Sequence, residues 1–154
     1  VLTAAGLPAS RAALMEAVAS GLAYERFERW IAAQGGDVTS LGKLERAPDA
    51  YVVRATRAGV VGKLDALAIG RAAGVLGGGR SKKGEAIDAG VGVELHAKVG
   101  DPVAAGDALA TAWHRGGRGL EAATALLEDA YEIGESGEPE PLVFERGIGG
   151  LTNA

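Results

Sequence analysis

No cysteine occurs among the 154 residues. That single absence excludes a disulfide framework, a thiolate metal site and a cysteine nucleophile. Histidine is almost as scarce, with His96 and His114 alone. Neither stands in a His-x-x-x-His pair or beside a metal-spaced carboxylate, so no metal centre is expected, and no cofactor. Positive charge is in short supply too. Sixteen Lys and Arg against twenty Asp and Glu leave a net charge of −4. Broad nucleic-acid binding needs the opposite surplus and is not expected. No run approaches the roughly 18 consecutive apolar residues of a membrane span. Val1 to Ala5 lack the basic start and long apolar core of a secretory signal, so the expected setting is the cytoplasm, with no membrane partner. The chain begins at Val rather than Met, which reads as a hint of a longer polypeptide.

What is plentiful is glycine, 25 residues in all. That is about twice the usual share of roughly 7%, and it follows no collagen period, so many tight turns are expected. At 47% hydrophobic residues the chain is equipped for a buried core. A domain of this length hides roughly 70% of its unfolded surface and needs no staple.

The pattern along the chain changes once. Residues 1 to about 47 read as a helical segment. Ser10 can cap a first helix running toward Ser20-Gly21. A second runs from about Leu22 to Gln34, with Tyr24, Phe27, Trp30 and Ile31 forming an aromatic stripe and Gly35-Gly36 supplying the stop. Past Pro48 the reading is strand-rich: Tyr51 to Ala55, a turn at Gly59, and a second strand from Val60 to Leu64. Asp65 can cap a helix over Ala66 to Leu76, in which Gly70 and Gly74 lie one turn apart and invite close packing. A glycine-rich basic loop follows, Gly77 to Gly84. Strands are expected over Val91 to Leu95 and Ala108 to Trp113, with a tight turn at Val99 to Pro102. A last helix spans about Gly119 to Ile133, its one-faced stripe made by Leu120, Ala123, Thr124, Leu127 and Tyr131. A closing strand over Leu142 to Arg146 and a tail over 147–154 complete the reading. Helices first, then strands with two interspersed helices, make this an α+β fold rather than a doubly wound one.

Catalytic signatures do not emerge from spacing. Gly79 and Gly84 have the separation of a Walker loop, but Glu85 stands where its lysine should be. Gly90-Val-Gly92 lacks the third glycine of a dinucleotide fingerprint. No serine lies in Gly-x-Ser-x-Gly. Glu138 and Glu140 flank prolines in an exposed-looking loop. The residues left for a binding role are Arg80, Lys82 and Lys83, which could attract an anion at a cleft edge or simply form a solvated basic loop.

Three ungapped runs carry more. Leu76-Gly-Gly-Gly-Arg-Ser-Lys-Lys-Gly-Glu-Ala-Ile-Asp88, Val91-Gly-Val-Glu-Leu-His-Ala-Lys-Val-Gly-Asp101 and Ala105-Gly-Asp-Ala-Leu-Ala110 resemble, in order, the C-terminal domain of thymidine and pyrimidine nucleoside phosphorylases. The resemblance covers nearly all of residues 10 to 146. It implies that residues 1–47 are the end of the family's α/β domain, with Ala33 to Asp37 closing a helix. Residues 48–146 would be the C-terminal-like domain, an antiparallel, hammerhead-like sheet with two helices, in which Tyr51 to Gly62 form the first hairpin.

The family's enzymes use inorganic phosphate to cleave a pyrimidine nucleoside into free base and pentose 1-phosphate. The resemblance implies that the phosphate loop, its lysine and the base-binding side chains precede the segment that aligns with Val1. No catalytic residue can therefore be carried onto this chain, and its partners would be the N-terminal α/β and helical portions of the same enzyme. Arg80, Lys82 and Lys83 resemble a segment bordering the cleft. The family tends to form homodimers through its helical domain, and the Tyr24 stripe is expected to support self-association.

A rival reading is a binding or interaction domain, or a carrier module. Gly100 to Ala110 also resembles the hairpin of biotinyl and lipoyl carriers, which present one lysine in a Met-Lys-Met or Asp-Lys-Ala setting. Lys98 has Ala97 and Val99 as neighbours and does not match it.

Overall fold

A computed structural model describes residues 10–43, 45–80 and 82–140. Contacts divide the chain into two units, Val1–Leu44 and Glu45–Ala154. The first carries helix α1 (Arg11–Ala19) and helix α2 (Leu22–Ala33), followed by a 3-10 turn over Val38–Lys43. Ser10 caps α1 as expected, its hydroxyl oxygen accepting the Ala13 N–H at 3.1 Å. Along α2 the rings of Tyr24 and Phe27, and of Phe27 and Trp30, lie 6.2 Å apart. Tyr24 and Trp30 are exposed.

The second unit holds strands β1 (Asp49–Arg54) and β2 (Gly59–Leu64), helix α3 (Ala66–Ala73), and strands β3 (Gly92–Leu95), β4 (Pro102–Val103) and β5 (Ala108–His114). Helix α4 (Leu120–Ala130) and strand β6 (Tyr131–Gly134) complete it. The strands form two three-stranded antiparallel sheets, ordered β1-β5-β3 and β4-β2-β6. The α+β class expected from the sequence is the one observed.

Two cores result, and β5 serves both. One side of it backs α3 and α4 through a cluster of Val53, Ala72, Leu76, Ala112, Ala123 and Leu127. Leu109 turns to the other side and joins Ala55, Val61, Ala97, Val103 and Ile133, drawn from both sheets. A strand covered on both sides reads as a nearly unbroken apolar run, and Ala108 to Trp113 does so. The alanines on the helix side let α3 and α4 approach closely.

Three expectations are corrected. Tyr51 to Gly62 is not a hairpin, because β1 pairs with β5 while β2 pairs with β4 and β6. Between them Ala55 donates its N–H to the Asp107 carbonyl and accepts the Gly106 N–H, so the chain leaves one sheet before entering the other. The last helix stops at Ala130, and Tyr131 begins β6. The Tyr131 hydroxyl lies 2.8 Å from the Leu109 carbonyl oxygen and 3.1 Å from that of Ala97, which anchors it to the strands. Burial there pushes its phenol up to about 12. Gly70 and Gly74 do not mark a close approach, since a Cβ added at either would meet nothing within 4 Å. Helix α3 widens instead into a π turn over Gly74–Gly78. The strand expected over 142–146 and the tail after it lie outside the described residues.

Two matching turns bracket β4. Gly100 at φ +94° and Gly106 at φ +91° each precede an aspartate. Asp101 accepts the Lys98 N–H and Asp107 the Ala104 N–H, both at 2.8 Å. Glycine in the left-handed region and a carboxylate reaching back make the same turn twice.

Candidate functional site

The basic loop singled out by sequence leaves the π turn at Gly77, a buried residue at φ +111°. Arg80 is exposed, and its Nε donates to the Glu85 carbonyl at 3.1 Å. Lys82 and Lys83 are exposed as well, and the Lys82 N–H donates to Glu85 Oε2 at 3.3 Å. Arg71 and Arg80 stand at a shallow groove of about 300 Å³ floored by Gly74, Val75, Gly79 and Leu126.

What holds the loop is a glycine turn that sequence reasoning passed over, Arg115-Gly-Gly-Arg-Gly119. Its glycines sit at φ +59°, +76° and +66°. From it Arg115 reaches Asp88 at 2.8 Å and Arg118 reaches Glu85 at 3.1 Å. Arg115 and then the Gly90 N–H hold the Asp88 carboxyl below its ordinary range, and Asp88 in return raises Arg115. These are surface pairs screened by water, so they select a loop geometry rather than stabilise the fold. Arginines spaced among glycines were the sequence signal available. It is a faint one, because turns of this kind are also common where nothing binds.

The glycine turn is itself set by two side-chain acceptors. Asp49 takes the Gly116 N–H at 2.8 Å, and Nδ1 of the buried His114 takes the Gly117 N–H at 3.2 Å. A backbone N–H only donates, so the lone pair must be on Nδ1 and the ring proton on Nε2. Nitrogen-15 chemical shifts of the His114 ring are expected to report the Nε2–H tautomer. An Nδ1–H signature would refute this reading of the turn. His96 is engaged elsewhere, its Nε2 2.7 Å from Thr111 Oγ1.

On the far side of β5, Arg46 lies over the Trp113 ring at 5.0 Å and pairs with Glu94 at 2.9 Å, while the Trp113 indole N–H donates to the same carboxylate. That trio closes on itself. A second groove, about 340 Å³ and apolar, runs between Leu64, Ile69, Leu95, Val99 and Pro139. Among the described residues no three His, Asp or Glu side chains converge as a metal site would require. Among them, too, no helix is long and apolar enough to cross a membrane. Among the described residues the arrangement therefore presents the cations Arg80, Lys82 and Lys83 at a surface.

Comparison with known proteins places this geometry. Residues 60–134 match the family model for the pyrimidine nucleoside phosphorylase C-terminal domain. Thymidine phosphorylase of Mycobacterium tuberculosis (strain CDC 1551 / Oshkosh) is 37% identical over 127 residues, covering 82% of this chain and 29% of that enzyme. Thymidine phosphorylase of Burkholderia cenocepacia (strain HI2424) is 36% identical over 141 residues, 89% of this chain and 32% of the enzyme. Pyrimidine-nucleoside phosphorylase of Staphylococcus aureus (strain USA300) is 43% identical over 108 residues, 68% and 25% respectively. The chain thus spans about a third or less of the length of the relatives it matches. Residues 60–134 thus form a pyrimidine nucleoside phosphorylase C-terminal domain.

Proposed function

We propose that this chain serves as the C-terminal part of a thymidine or pyrimidine nucleoside phosphorylase, a pentosyltransferase acting in the cytoplasm. The observation that carries the reading is the domain match over residues 60–134, joined to relatives that are phosphorylases about three times longer. In this reading residues 1–47 are the end of the enzyme's α/β domain. Arg80, Lys82 and Lys83 border its substrate cleft, and the rest of the enzyme binds phosphate and nucleoside and makes any dimer contacts.

Phosphorolysis builds positive charge on the sugar while phosphate attacks beneath it. Converging donors and a cation must stabilise that state by several kcal/mol. Arg80, Lys82 and Lys83 are exposed cations, and the family resemblance puts the phosphate loop in the rest of the enzyme. This chain assayed alone with thymidine and inorganic phosphate is expected to release no thymine above blank, followed by ultraviolet absorbance. Coexpression with the remaining two thirds of a relative should restore turnover. Phosphate-dependent release by the chain alone would show that a complete site lies within it. Failure of the joined protein to turn over would defeat the proposed role.

A further inference from the structure

The basic loop lies within a segment closed between Gly77 and Asp88, where the Asp88 N–H donates to the Gly77 carbonyl at 3.0 Å and forms a stem. Arg118 lies across that stem. A Cβ built on Gly77 would stand 3.5 Å from Arg118 Nη1 and 3.6 Å from Cζ, so the guanidinium covers the glycine as a plate. Its Nη2 also donates to Glu85 Oε1 at 3.1 Å. Glu85 in turn organises the loop from inside, where its other carboxylate oxygen accepts the Lys82 N–H and its carbonyl accepts Arg80 Nε. One arginine from outside the loop thereby touches the start of the stem and Glu85, whose carbonyl accepts from Arg80 and whose carboxylate accepts from Lys82.

We propose that Arg118 is a positioning residue for the loop's cations, fixing where Arg80 and Lys82 stand by covering Gly77 and holding Glu85. That these cations face a substrate cleft rests on the function proposed above, whereas the positioning itself does not. Gly77 fits the role through its backbone: a φ of +111° disfavours any side chain, and the guanidinium lies at van der Waals distance from where a Cβ would stand. The planar fork of arginine suits the double task, for it can lie flat on backbone and still pair at its edge.

The test is amide hydrogen exchange by NMR on this chain without phosphate or nucleoside, so its outcome is independent of the enzyme reading. The reporters are the Lys82 and Asp88 amides. The references are the Ala55 and Val61 amides, which donate to the Asp107 and Asp101 carbonyls in the other core. Arg118→Met, which keeps the stem and removes the fork, should speed exchange at both reporters about fivefold, the order expected for one surface charge-assisted pair. The references should not change. Arg118→Lys, which keeps a cation within reach of Glu85, should recover at least half of the protection. Unchanged reporters in Arg118→Met would overturn the proposal. So would equal acceleration of the references, which would make Arg118 a general structural residue, or no recovery with lysine.

Discussion

Gly119→Ala is expected to lower stability by about 3–5 kcal/mol, enough to unfold much of the population of a marginal domain. Gly119 caps the start of α4 at φ +66°, a conformation that costs alanine roughly 1–2 kcal/mol by itself. The larger part is steric. A Cβ there would run into the carbonyl oxygen of Val75, with the Val75 carbonyl carbon at 2.7 Å and the Leu76 N at 3.3 Å. All three are backbone atoms of the turn that ends α3, so no side-chain rotation gives relief. The turn would have to shift, and Leu76, 1% exposed, would shift with it against Leu127. Gly117→Ala supplies the control. It has φ +76° but open space around its Cβ, so it should lose only the conformational part. Urea midpoints of the two variants compare the effects directly. If both fall by the same amount, the close approach of α3 and α4 at Gly119 is not what the structure implies.

The second large effect is expected at Leu127, fully buried between α3, α4 and the first sheet. Leu127→Ala should cost about 3–4 kcal/mol, within the 2–5 kcal/mol that such truncations span. The surroundings place it toward the upper part. Ala72, Ala112 and Ala123 have no side-chain freedom with which to fill the space, so the cavity persists. Leu127→Met nearly conserves volume and should cost less than about 1.5 kcal/mol. Leu126, one residue away and partly buried, should lose less on truncation to alanine than Leu127 does. Chemical denaturation of the three variants checks the ranking. A Leu127→Ala protein as stable as Leu126→Ala would mean that the helix-backed core is looser than described.

Local chemistry was legible in the sequence, and long-range pairing was not. Ser10 and Asp65 announced their helices, because a cap is written within three residues of the N–H groups it serves. The Gly100-Asp101 turn was equally visible. The Tyr51 to Gly62 hairpin, implied by the family resemblance, does not form, because β1 finds its partner in β5. Tyr131 failed for a different reason. Eleven residues from Leu120 fits helical periodicity, but its hydroxyl is drawn to two carbonyls that no periodicity count contains. At the candidate site the cations Arg80, Lys82 and Lys83 could be named from composition. The two arginines that order the loop could not, since their carboxylate partners lie 27 and 33 residues away.

The sharing of β5 between two cores also bears on how the protein comes into being. Its ladder with β1 joins residues from Arg54–Ala108 to Asp49–His114, separated by 54 to 65 positions. At about 5–20 residues per second, a translating ribosome leaves β1 without its partner for several seconds. During that interval Val52 and Val53 are an unpaired apolar edge of the kind chaperones hold. Because β5 completes both cores, neither can be finished before the other has its central strand. Each core also needs residues made after β5, Leu127 in one and Ile133 in the other, so neither can close until the chain has been made through them.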